Sequence, residues 1–116
     1  MSNLIKNPKF GEVYLIRFHP AYGQEFKKYR PGVILSTKIN ELDPRFTLIA
    51  PITSKTENLK KEELLLPRFP FLKKESALLI WYMRTVDITR LETKLGELPK
   101  DAKIKLKKKL KALFIK

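Results

Sequence analysis

The chain has 116 residues, 43% of them hydrophobic, and sets 25 Lys and Arg against 12 Asp and Glu for a formal net charge of +13. With no cysteine and a single histidine, His19, it cannot build a disulfide, a thiolate zinc site, a thiol nucleophile or a multi-histidine metal centre. No apolar run approaches the roughly 20 residues of a membrane-spanning helix. Met1 to Phe10 lacks the apolar stretch of a secretion signal, and the length suits one domain over residues 1–116, expected in the cytoplasm.

Gly11 to Phe18 (Gly-Glu-Val-Tyr-Leu-Ile-Arg-Phe) is rich in β-branched and aromatic residues and predicts a strand. His19 to Tyr29, punctuated by Pro20 and Gly23, reads as a loop. Arg30-Pro31 leads into a second strand, Gly32 to Ser36, with the proline at its start, where a sheet tolerates one. Asn40 to Arg45 turns the chain into a third strand, Phe46 to Ile52, which ends in Pro51-Ile52-Thr53-Ser54. Lys55 to Lys61 is a polar loop, Glu63 to Leu66 a short strand, and Pro67 to Pro70 a turn. Ser76 to Met83 is the most hydrophobic run and predicts the central strand. Asp87 is placed to cap a short helix over Ile88 to Lys94, after which Leu95 to Leu98 returns the chain.

The final segment predicts a helix over about residues 99–115. Pro99 suits the first helical position, and Asp101 sits well at the positive end of the dipole. Ala102, Leu106, Leu110 and Leu113 or Phe114 recur every three or four residues as one apolar stripe. Counting Lys116 at its end, eight lysines and one aspartate lie from Pro99 onward, a stretch that therefore carries +7 of the total charge. The expected fold is mainly β with helices, an α+β arrangement: a small twisted antiparallel barrel over about residues 10–98, finished by an amphipathic helix. Such a charge balance favours a polyanionic partner, nucleic acid or an acidic protein, over the plainer reading of a lysine-rich solubilising surface.

Four pieces, in order, resemble the MazF/PemK family of toxin ribonucleases. They are Gly11-Glu12-Val13-Tyr14 with Pro20 and Gly23; Glu25 with Arg30-Pro31-Gly32-Val33-Ile34-Leu35-Ser36; Pro51-Ile52-Thr53-Ser54; and Leu72-Lys73-Lys74-Glu75-Ser76 through Arg84-Thr85-Val86-Asp87. The resemblance implies a MazF/PemK/CcdB-type barrel acting as a homodimer. It also implies metal-independent cleavage of single-stranded RNA, such as mRNA, needing no cofactor, and an acidic antitoxin protein as partner. It assigns the catalytic pair to Arg30 and Thr53; Glu25, as a carboxylate in a basic loop, and His19, as the one histidine, are candidates for acid, base or orienting roles on their own chemistry.

Chemistry agrees with the pair. A guanidinium offers planar, paired donors matched to phosphate oxygens and stays charged at any working pH. The Thr53 hydroxyl can donate to the same oxygens. Neither is a good general base, and the base is left open. The plainer readings are an Arg30 ion pair at the barrel rim, a turn-forming Thr53 and a surface-charged Glu25; His19 stands where the family varies. Gln24, Phe26, Lys27, Lys28, Ser54, Trp81, Tyr82 and Arg84 complete the expected RNA contacts, Arg84 being better suited to a structural ion pair with Asp87 or a carboxylate of a second copy.

This chain departs from the family in having Phe26 where a glutamine is usual, and Trp81 and Tyr82 where an acidic residue and a glutamine are usual. Those aromatics could stack on RNA bases, fill the core or face a second copy. Two other functions stay in view. One is a nucleic-acid-binding barrel without catalysis. The other is a gyrase-poisoning toxin, whose relative ends in Trp-Gly-Ile where this chain ends Leu113-Phe114-Ile115-Lys116.

Overall fold

The computed structural model describes residues 5, 7–18, 29–36 and 38–114. The strands among them are β1 (Glu12–Arg17), β2 (Tyr29–Ser36), β3 (Phe46–Thr53), β4 (Glu63–Leu66), β5 (Ser76–Leu79), β6 (Arg84–Asp87) and β7 (Leu91–Glu97). A short helix, α1 (Lys38–Leu42), joins β2 to β3, and α2 (Lys100–Phe114) ends the described chain. All pairings are antiparallel, in the order β4-β5-β3-β2-β1-β7, with β6 also on β3. The mainly-β architecture with a terminal amphipathic helix is therefore as expected. The barrel is not closed, since no pairing joins β4 to β7 among the described residues.

The two faces of this sheet carry two cores. Val13, Val33, Leu35, Ala50, Ile52, Leu78 and Ile80 alternate onto one face and meet Ala102 and Leu106 of α2. Leu106 is 0% exposed, and burying a leucine this completely is worth about 1.5–3 kcal/mol. Tyr14, Ile16, Phe18, Ile34, Ile49, Val86 and Leu91 form the second core on the other face. At its border Glu12 accepts from the Lys9 N–H (2.7 Å), the Tyr14 hydroxyl (3.0 Å) and Lys94 Nζ (3.0 Å). Burial opposes the charge of Glu12, but these donors outweigh it and hold its carboxyl below the usual range.

Two predicted elements differ. The apolar run from Ser76 to Met83 is not one strand: β5 stops at Leu79, and Ile80–Tyr82 form a single 3₁₀ turn before β6. Both β5 and β6 lie along β3, with Ile52 opposite Leu78 and Ile49 opposite Arg84. The turn is thus a wide bulge in one long ladder. Because it inserts an odd number of residues, it reverses which face even-numbered side chains occupy. Leu78 and Ile80 join the first core, and Val86 joins the second.

The helix expected over Ile88 to Lys94 is instead a 3₁₀ turn, Ile88–Arg90, followed by β7. Asp87 does cap the turn, accepting from the N–H and hydroxyl of Thr89, each at 2.9 Å. Pairing of Leu91–Glu97 with β1 overrides the helix start that Asp87 signals locally.

Candidate functional site

Arg30 and Thr53 lie near the same end of β2 and β3. In β2, Arg30 is opposite Ile16 of β1, a second-core residue, and Gly32 is opposite Pro51 of β3. Alternation then puts Arg30 and Thr53 on the same sheet face, the one turned away from α2. The register carried on two residues from Gly32 and Pro51 sets them side by side.

The Arg-Pro pair has a local logic. Gly11 donates its N–H to the Ile34 carbonyl on the β1 side, so alternate residues, including Pro31, direct their nitrogens toward β3. Pro31 would meet Ile52 there but has no hydrogen to give. The Ile52 carbonyl accepts Nη1 of Arg30 instead, at 3.1 Å. The guanidinium is thereby tied to the backbone one residue before Thr53. Thr53 accepts the Lys55 N–H through Oγ1 at 3.2 Å, which orients the hydroxyl and leaves its hydrogen for a second partner.

The end of β3 contributes to two clefts. One, of about 370 Å³, is lined by Arg30, Ile52, Ser54, Lys73 and Lys74 among others. The second, also about 370 Å³, is lined by Thr53, Lys55, Asn58, Lys60, Glu63 and Trp81 among others. Arg30 and Thr53 therefore share a sheet face but open onto different clefts. Asn58 turns the rim of the second cleft with φ +59°, a left-handed conformation that asparagine tolerates.

Of the other expected contacts, Ser54 is exposed and borders the Arg30 cleft. Trp81 and Tyr82 are brought together by the 3₁₀ turn, their rings stacked at 5.2 Å and 19°. Arg84 is half-buried with its guanidinium 5.8 Å from the Phe18 ring. It stands opposite Ile49, four residues and roughly 13 Å along β3 from Thr53. His19, Gln24, Glu25, Phe26, Lys27 and Lys28 lie outside the described residues.

Glu63 and Lys60 were missed from sequence. Glu63 accepts from Trp81 Nε1 at 2.8 Å, and Lys60 Nζ stands 5.7 Å from the centre of the same ring. The available signal was alternation, which puts Glu63 on the face of Leu65, opposite to Leu64 and Leu66. Among the described residues no three His, Asp or Glu side chains gather as a metal site, and no helix is long and apolar enough to cross a membrane.

The family described as PemK-like, MazF-like toxin of type II toxin-antitoxin system matches residues 9–114. No curated protein matches the chain by sequence. Among solved structures, MazF (Form-I) from Deinococcus radiodurans is 26% identical with a TM-score of 0.73, covering 94% of this chain and 97% of its own. MazE-MazF (Form-II) from the same organism is 21% identical with a TM-score of 0.73, covering 96% and 98%. An endoribonuclease from Mycobacterial species, 16% identical with a TM-score of 0.69 and covering 95% and 93%, shares the fold.

Proposed function

This chain belongs to the PemK-like, MazF-like toxin family of type II toxin–antitoxin systems, and from that membership we propose that it is an endoribonuclease that cuts single-stranded RNA, mRNA included, without a metal ion. The observation that supports this best is the pairing of Arg30, tied through Nη1 to Ile52, with Thr53 on the same face of adjacent strands. In the proposed step the ribose 2′-oxygen bonds to the neighbouring phosphorus and the bond from phosphorus to the 5′-oxygen breaks. The products are a 2′,3′-cyclic phosphate and a free 5′-hydroxyl. Arg30 stabilises the charge on the non-bridging oxygens, and Thr53 donates to one of them. Glu25 and His19 are the candidates for moving or orienting the protons, and Gln24, Phe26, Lys27, Lys28, Ser54, Trp81, Tyr82 and Arg84 for holding the strand.

The proposed setting is the cytoplasm, the proposed assembly a homodimer, and the proposed regulator an acidic antitoxin. A related fold described as an endoribonuclease in complex with its cognate antitoxin from Mycobacterial species, with a TM-score of 0.63, supports the last. A net charge of +13 suits both an RNA strand and an acidic protein.

Incubation with long single-stranded RNA in EDTA tests the reading. Discrete fragments ending in cyclic phosphate are expected, and Arg30→Ala should lose cutting while still binding RNA. Binding without fragments would favour the second reading, a non-catalytic RNA-binding protein, for which the exposed Trp81 and its Tyr82 stack speak.

A further inference from the structure

Glu63 is only 9% exposed, yet its carboxylate is held by two neutral donors. Oε2 accepts from Trp81 Nε1 at 2.8 Å, and Oε1 accepts from the Lys60 backbone N–H at 3.2 Å. Both carboxyl oxygens are thus engaged, and among the described residues Glu63 forms no ion pair. The bond from Trp81 fixes the edge of the indole against β4.

The rest of the residue is open. Trp81 is 47% exposed, and its one polar hydrogen is already engaged with Glu63. Its exposed surface thus offers a flat π face and nothing polar. Tyr82 stacks on the ring at 5.2 Å and adds to its rigidity. Lys60 Nζ stands over it at 5.7 Å, and Lys55, Asn58 and Thr53 line the same cleft. The cleft volume, about 370 Å³, falls within the roughly 300–1,000 Å³ of small-ligand sites. A rigid aromatic plate beside ammonium groups is complementary to a planar base carried on a phosphate chain.

We propose that Trp81, locked at its edge by Glu63, is a stacking platform that seats one nucleobase of single-stranded RNA beside Thr53, with Glu63 as its positioning residue. This rests on the reading of that face as the RNA-cleaving site. The platform takes any base, because stacking uses the π face common to all four. Lys60 leaves the ring as the base arrives and turns to the adjoining phosphate.

Trp81 is the only tryptophan in the chain, so its fluorescence reports on this cleft alone. The full chain is titrated with a 2′-O-methyl oligonucleotide, which lacks the attacking hydroxyl and separates binding from cutting. Quenching of Trp81 is expected, and an abasic strand of the same length should bind without it. Trp81→Ala should weaken binding of the base-bearing strand by about 5- to 150-fold, with Trp81→Phe in between. Glu63→Ala should weaken it similarly in the unaltered chain but cost nothing further beside Trp81→Ala. Glu63→Gln, which keeps an acceptor, should restore affinity. Glu63→Asp, which draws the acceptor back, replaces Glu63→Ala if that variant does not fold.

Quenching that is absent, equal with the abasic strand, or produced only by an acidic peptide overturns the platform. So does a Glu63→Ala loss that persists beside Trp81→Ala. Cutting of ordinary RNA is scored separately. Quenching without cutting refutes the nuclease and leaves the platform, and cutting with Trp81 silent does the reverse.

Discussion

The guanidinium of Arg30 fills a hydrogen-bonding place that its own neighbour vacates: Pro31 has no N–H for the Ile52 carbonyl, and Arg30 Nη1 supplies one at 3.1 Å. Within this dipeptide the proline creates the acceptor and the arginine answers it. The same bond that completes the ladder sets the plane of the group proposed to meet the phosphate.

Arg30→Lys should therefore fail almost as badly as Arg30→Ala. Removing a donor of this kind costs about 100- to 1,000-fold in rate, and a lysine provides a point charge without the planar fork. Single-turnover cleavage of a labelled RNA measures the rate, and circular dichroism melting should place both variants within a few degrees of the unaltered chain.

Thr53→Val and Thr53→Ser separate shape from hydroxyl. Valine keeps the β-branched form but loses the acceptor for the Lys55 N–H, a loss of about 0.5–1.5 kcal/mol in stability. Cutting should fall sharply in Thr53→Val and largely persist in Thr53→Ser, read by the same assay with urea titrations alongside.

RNA affinity should fall steeply between about 50 and 200 mM salt, with log K declining by roughly 0.7 per phosphate neutralised for each unit of log salt. Titration of an uncleavable strand at four salt concentrations gives the slope. A flat response would remove Lys55 and Lys60 from the contact surface.

Leu106→Ala tests the packing of α2. The side chain is 0% exposed in the first core, and truncating such a leucine costs about 2–5 kcal/mol. A lower urea midpoint with an unchanged slope is the expected result.

Glu12 gives a pH signature. Its folded-state carboxyl titrates below the ordinary value of 4.5, because the donors on it outweigh its burial. A depressed carboxyl contributes stability that is present above its unfolded value and lost as pH falls through the folded one. The stability advantage of the unaltered chain over Glu12→Gln should be full at neutral pH and shrink below about 4.5. Urea midpoints from pH 3 to 7 measure it.

The strand positions and α2 were legible because each shows its periodicity over several residues, and the Arg-Pro and Pro-Ile-Thr-Ser pieces marked one end of β2 and β3. The turn at Ile80–Tyr82 was hidden, since an unbroken apolar run carries no phase from which a bulge could be read. Ile88 to Lys94 misled because Asp87 marks a helix start locally, while the pairing with β1 that decides the matter is remote in sequence. Alternation along Glu63 to Leu66 sets Glu63 apart from Leu64 and Leu66, but its bond to Trp81 depends on the cross-strand opposition of Glu63 and Leu79, which is remote in sequence.

The odd-length turn between β5 and β6 also governs which sequence changes the chain tolerates there. Deleting or inserting one residue between Ile80 and Met83 would exchange the environments of every later side chain in β6, sending Arg84 toward the α2 side and Thr85 toward Phe18. A two-residue change would keep the existing assignment. Length variation in relatives at this point should therefore come in even steps, a constraint on the gene that no individual contact imposes.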